Sequence, residues 1–303
     1  MATLTPQFFQ LLEAEEKDVF FQSFQMQSLK YPQLFETRNS TKAYEDRIRI
    51  AGLGTFATKP EGTPVAFDDP VQGTQVRTVH QTFALGWRAT MEMMEDDQFN
   101  VMNRMSSELG ESARDHQERL AWGLVNDGFT GTTYTGLDND TLFQASHTIL
   151  KGASSTTSNI LSPAVALSQT GLESILTLAS TTTSDEGRFV DLAPSILLIH
   201  PNEQHNAYVL LNTDYKPGSA DNDRSTVVSS RSGLRPLEVP YLSSQTNWFV
   251  FSPPGKNTLA WNNRKSLTFS RAQDADTFDQ KFYGAYRASV MFDEWRGSWG
   301  SQA

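Results

Sequence analysis

The 303-residue chain contains no cysteine. That absence removes disulfides, thiolate metal centres, iron–sulfur clusters and cysteine nucleophiles together. Histidine is scarce as well. Five residues, at positions 80, 116, 147, 200 and 205, are the whole supply of imidazole for ligation or for proton transfer near neutral pH. No apolar run approaches the ~18 residues of a membrane span. The opening "MATLTPQFFQLLEAEEKDVFFQSF" places acids where an export signal needs an apolar block. Positive charge is short too: 25 Lys and Arg stand against 35 Asp and Glu, giving a formal charge of −10. A dedicated reader of nucleic acid needs a basic face to neutralise phosphates, so this balance disfavours one, although not a protein that merely encloses nucleic acid. The expectation is a soluble, acidic protein of the cell interior.

Apolar residues are present in quantity: 38% are hydrophobic and 11% aromatic, enough for a real core. The length allows about two ordinary domains or one elaborate one. Residues 5–30 are glutamine-rich and amphipathic, with Phe8, Phe9, Phe20 and Phe24 among apolar positions at helical spacing. An arm of this kind either packs on another subunit or folds back over its own domain. Residues 59–70 hold Pro60, Gly62, Pro64 and Pro70, and "TQVRTVHQTFALGWRATM" from Thr74 alternates like a long strand or an extended hairpin arm. Together they predict a projecting loop.

From Glu95 to about Phe129 there is no proline, and Phe99, Met102, Met105, Leu109, Ala113, His116, Leu120 and Leu124 recur three or four apart. Ser106, Glu108, Glu111, Arg114, Asp115, Glu118 and Arg119 fill the other surface. A helix of about thirty residues is ~45 Å long, far beyond the average, and acts as a spine. A Gly/Thr/Ser/Asn-rich connector follows. Next comes an α/β-like segment with a helix at 169–179, a strand at 196–199 and a helix over 202–211. After the polar loop "DYKPGSADNDRSTVVSSRSG", strand patterns return in "TNWFVFSPP" and "KFYGAYRASVMFDEW".

Several stretches invite a chemical reading. Gly52, Gly54 and Ala57 match a dinucleotide fingerprint after strand-like residues 47–50, with Asp68 and Asp69 downstream. A pyrophosphate loop needs a helix starting at those glycines. Pro60 and Pro64 fall inside that helix and cost about 3 kcal/mol each there, so the glycines read better as joints at the loop's root. "HPNEQH" brings His200, Glu203 and His205 together, but its spacing fits neither zinc-protease pattern, and capping explains it better. "DND" at 138–140 and 221–223 lacks the glycine and the final glutamate of a calcium loop, so both read as turns. "DADTFD" at 274–279 reads as a solvated loop. The pair Glu95/Asp96 sits where acids favour a helix dipole. The residues point to no catalytic, cofactor-binding or metal site.

The order of parts is the strongest signal. Carried by "FATKPEGTPVAFDDPVQG", "WRATMEMMEDDQFNVMNRM", "LFQASH", "PGSADND" and "RGSWGS", the chain resembles the tailed-phage major capsid fold of the Hong Kong 97 type. More narrowly, it looks like the Mu-like major head subunit family. The resemblance implies an α+β chain divided into an N-terminal arm (1–52), an extended loop (53–85), a peripheral domain with the spine (86–160), an axial domain (161–240) and returning peripheral strands (241–303). It implies hexamers and pentamers in an icosahedral shell that encloses double-stranded DNA without reading its sequence. Scaffolding, portal and decoration proteins would be partners, and the location would be the virion, assembled in the bacterial cytoplasm. The expected contacts between subunits are Phe8, Phe9, Phe20, Phe24, Lys59, Pro60, Glu61 and Pro64. No cofactor is implied. Some members of the wider fold cross-link a loop lysine to an asparagine, and Lys59 would be that lysine. Scaffolding is expected to be a separate protein and the chain uncleaved. An encapsulin-like compartment shares the fold and is the nearest alternative; a nucleotide-dependent oxidoreductase is a weaker one.

Overall fold

A computed structural model describes residues 5–90, 92–93, 100–151, 156–213 and 233–303, with side chains of the first helix from Glu15 onward. The spine is helix α2, Val101–Asn126, ~39 Å long by the rise per residue. Asn100 precedes it in the left-handed conformation (φ 54°), which sets where the helix begins; the expected start at Glu95 and Asp96 lies outside the described residues. At the far end Asp127–Phe129 tightens into a 3₁₀ turn. Met102, Leu109, Ala121, Trp122, Leu124 and Val125 are buried, as are Ser106 and Glu118, two residues that the sequence pattern places on the outer surface. Glu118 is tolerated inside because its carboxylate accepts the Trp122 indole N–H at 2.5 Å and the Lys30 amide.

The spine packs on a sheet of order β1-β10-β11-β4: β1 (Glu36–Asn39), β4 (Gln81–Ala89), β10 (Leu259–Gln273) and β11 (Gln280–Phe292). Strand β11 alternates strictly at its start, burying Gln280, Phe282, Gly284 and Tyr286 while Lys281 and Tyr283 face out. Helix α1 (Thr5–Gln25) lies beside α2, and Gly110 permits the approach: a Cβ there would stand 2.4 Å from the Phe20 carbonyl oxygen. Phe20 is fully buried with Leu109, Met102, Phe269 and Phe282. The arm therefore folds back over its own chain, and Phe20, expected as a contact on a neighbour, is a core residue of its own subunit.

A second sheet, β12-β9-β7-β8, comprises β7 (Ile196–Ile199), β8 (Arg235–Glu238), β9 (Trp248–Phe251) and β12 (Ser298–Ser301). Its two central strands are buried on both faces, which is why "ILLI" and "WFVF" are unbroken apolar runs. One face, Leu197, Ile199, Trp248 and Val250, meets α3 (Gln169–Ser180) and α4 (Gln204–Asn212) through Leu172, Ile175, Ala207 and Leu210. The other, Ile196, Leu198, Phe249 and Phe251, joins the cluster of Trp122, Phe35, Phe143, Trp261 and Phe292. The two sheets thus share one continuous core across the spine.

The stretch that alternates like a long strand or an extended hairpin arm forms two strands in different sheets. Strand β3 (Val71–Val79) pairs with β2 (Tyr44–Ala51) in a separate two-stranded ribbon, and β4 enters the sheet beneath the spine. The break falls at His80, which is buried between Ser289 Oγ (2.9 Å) and Ser40 Oγ (3.1 Å) and turns the chain from one sheet into the other. Residues 5–52 of the expected arm therefore hold a helix, strand β1 of the four-stranded sheet beneath the spine and half of the ribbon, and residues 81–85 of the expected loop lie in that same sheet. A last pair, β5 (His147–Thr148) and β6 (Thr156–Thr157), closes the connector. No helix among the described residues is long and apolar enough to cross a membrane. The polar loop at 214–232, with its "DND", lies outside the described residues.

Candidate assembly surfaces

The ribbon β2–β3 ends in a tip, residues 52–70, that contains neither strand nor helix and is exposed throughout from Thr55. At its apex the Thr63 amide donates to the Pro60 carbonyl across Glu61 and Gly62. Gly62 has φ +78°, the value a type II turn requires of its third residue. No helix follows Gly52 and Gly54, so nothing presents a row of amides to a pyrophosphate there. Lys59, Pro60, Glu61 and Pro64 are all exposed on this tip.

Several large apolar side chains stand out on it and beside it. On the tip, Phe56 is 107% exposed, Phe67 92%, Val65 59% and Leu53 56%, and at the end of β2 Ile50 is 66% exposed. Scattered surface apolars are ordinary, but a projecting loop carrying this many marks a surface that is covered in use. Sequence reasoning passed over Phe56, Phe67 and Val65, although their signal was legible: large apolar residues set among prolines and glycines, with no periodicity to bury them.

The tip is flexible in composition but firmly held at its root. Buried Arg49 grips Asp185 through Nη2 (2.7 Å) and Nε (3.1 Å), and buried Arg296 reaches the same carboxylate at 2.8 Å. Burial pushes the Asp185 carboxyl up, and the two guanidiniums more than reverse this, holding it below the usual carboxylate range. Lys151 donates to the carbonyls of Gly52 and Asp69, both at 2.9 Å, and pairs with Asp68 at 2.6 Å. The amides of Gly52 and Gly54 donate to Glu186 and Asp68. The two glycines are pinned points rather than loose joints. Asp68, which a nucleotide reading would assign to a ribose, closes the loop on itself.

The remaining expected residues divide. Phe24 is half-buried beside Phe21, Leu29 and Trp261 along the groove next to α1. The side chains of Phe8 and Phe9 lie outside the described residues. His200 caps the turn before α4 by accepting the Asn202 amide through Nδ1 (3.2 Å), the capping role expected of it.

One polar grouping was not foreseen. Asp138, Asp140 and His147 bring ligand-type atoms within 4.8 Å of one another. His147 Nδ1 is 2.8 Å from Asp138 Oδ2, and its ring stacks 4.6 Å from that of Trp295. Its Nε2 is 3.1 Å from Asn159 Oδ1, and Asn159 Nδ2 donates to the carbonyls of Leu142 and Ser298. These bonds peg the connector to the closing segment of the chain. The histidine of "LFQASH" is thus one of the bonded groups that hold this connector.

Comparison with known proteins supplies the context. No curated protein matches the chain significantly. Among solved structures, the capsid of the cyanophage P-SCSP1u superposes with a TM-score of 0.58 at 13% identity, covering 90% of this chain and 87% of that one. The procapsid of bacteriophage JBD30 gives 0.53 at 16% identity over 99% of this chain and 76% of that one. The virus-like particle from Pyrococcus furiosus gives 0.56 at 8% identity, over 95% and 98% respectively. At such identities the likeness is one of fold, and it is the fold of capsid subunits. A family model described as phage capsid protein matches residues 73–299, about three quarters of the sequence. With its clamped apolar loop, long spine and two-sheet core, the chain belongs to the phage capsid protein family.

Proposed function

We propose that this capsid shell subunit is the major head protein of a Mu-like tailed phage. It forms hexamers and pentamers of an icosahedral head around double-stranded DNA, working with separate scaffolding, portal and decoration proteins in the host cytoplasm and catalysing no reaction. The observation that carries the assembly role is the apolar tip on a rigid root. Phe56 and Phe67 have no partner surface within their own described chain, whereas the root beneath them is clamped by buried charge. A loop so built reaches over an adjacent subunit, with Lys59, Pro60, Glu61 and Pro64 at the contact. Heterologous contacts of this type close when repeated around symmetry axes. Each is modest, and many act on every subunit at once.

Electron microscopy of the expressed full chain, with and without the co-expressed scaffolding protein, tests the reading. Closed shells of uniform size are expected. Uniform monomers under both conditions would overturn it.

A further inference from the structure

The buried side of α1 carries one group that packing does not explain. Glu16 is 1% exposed, and neither carboxylate oxygen has a hydrogen-bond partner. Four residues on, Phe20 fills the slot formed by Leu109, Phe269 and Phe282. Around these two residues the arm is held to its spine by close contact at Gly110 and by the 2.5 Å bond between the hydroxyls of Ser23 and Ser107. An ionised carboxylate in such a place loses its hydration and gains no donor, so the docked helix favours the neutral acid.

We propose that Glu16 is a protonation-gated latch: α1 docks on its own spine with the carboxyl neutral and is released when that carboxyl ionises. Among the described residues, two charges act on the group. Arg271 of β10 favours the carboxylate, and Glu15, next along α1 and itself 3.4 Å from Asn103 Nδ2 of α2, opposes it. Burial, with Glu15 acting in the same direction, outweighs Arg271, and the carboxyl is raised to about 7 from its ordinary 4.5. The direction of the effect follows. Docking is strongest below about pH 4.5, where both docked and released arms are protonated. Between there and about pH 7 the released arm ionises while the docked arm stays neutral, so docking weakens. Above that the docked carboxyl ionises too, and the loss levels off. Integrated over the window, the opening equilibrium shifts on the order of a hundredfold. The proposal concerns the unassembled subunit and stands independently of the shell it builds.

Hydrogen exchange of the full-length, unassembled chain, read as protection factors corrected for intrinsic exchange, tests it between pH 5 and 8. Protection in α1 is expected to fall by one to two orders of magnitude, while β7 and β9 stay constant. Glu16→Gln, neutral at every pH and of the same shape, should keep the arm protected across the range. Arg271→Gln removes the charge that favours the carboxylate and should move the transition to higher pH. A flat profile for α1 in the unsubstituted chain, or an unchanged pH dependence in Glu16→Gln, would overturn the latch.

Discussion

Asp127 ends the spine and organises the turn beyond it. Its carboxylate accepts the amides of Thr132 (2.9 Å), Thr133 (2.7 Å) and Tyr134 (2.9 Å), and the hydroxyls of Thr130 and Thr132. Burial alone would raise this carboxyl; the donors pull it down to about 2. A depressed acid stabilises the fold above the unfolded pKa near 4 and loses that contribution as pH falls toward 2. Asp127→Asn should cost about 1–2 kcal/mol at pH 7 after allowance for solvent screening, and much less at pH 2. Denaturant titrations at both values check this. Phe20→Ala belongs to the same scale and should cost about 3–5 kcal/mol by urea titration, because it opens a cavity between arm, spine and sheet. The proline-free apolar repeat made the spine legible from sequence. The burial of Phe20 and Glu118 was not, because each is decided by a partner far along the chain: Phe269 and the Lys30 amide.

At the scale of elements, the ribbon is governed by one buried ion triad. Asp185 lies on the turn after α3, Arg49 on β2, and Arg296 just before β12, so a single carboxylate ties the loop root to two distant segments. Removing that charge takes the carboxylate partner from buried Arg49, whereas Arg296 keeps Glu294 at 3.2 Å; breaking a buried pair in this way typically costs about 3–5 kcal/mol. Asp185→Asn should therefore lower the urea midpoint and raise exchange at β2 and β3 well before β7 and β9. Uniform loss of protection over the whole molecule would show that the triad holds the entire core and not the ribbon in particular. Nothing in the local sequence announces the triad, since Arg49 and Asp185 are 136 residues apart. The same limit applies to His80. The strand pattern runs through it without interruption, and only its bonds to Ser289 and Ser40 show where one sheet ends and the other begins.

For the whole molecule, folding and assembly draw on different residues. The tip side chains contribute little to the subunit's own core, so Phe56→Ser with Phe67→Ser should change subunit stability by no more than about 0.5 kcal/mol. Shell yield, measured by sedimentation and electron microscopy, should fall sharply. A stability loss of several kcal/mol in the unassembled subunit would instead place the tip in its own core. The arm behaves in the opposite sense. With Phe20 buried against the spine and its sheet, deleting residues 1–30 should destabilise the subunit itself, with the impaired assembly following from that.

What the sequence by itself determined was a set of features with a local period or a strong composition: the spine, the apolar strands "ILLI" and "WFVF", the helix at 169–179 and the projecting Pro/Gly loop. Periodicity fixes the face that an element must bury, and the order of such elements was enough to suggest the capsid fold. Only the tertiary structure decided what each face is buried against. It turned the arm inward, split one strand run between two sheets, and made a clamp from an arginine, an aspartate and a second arginine that the chain alone leaves unconnected. The physical reason is that burial and charge pairing are set by distance in space, and a sequence records distance only along the chain.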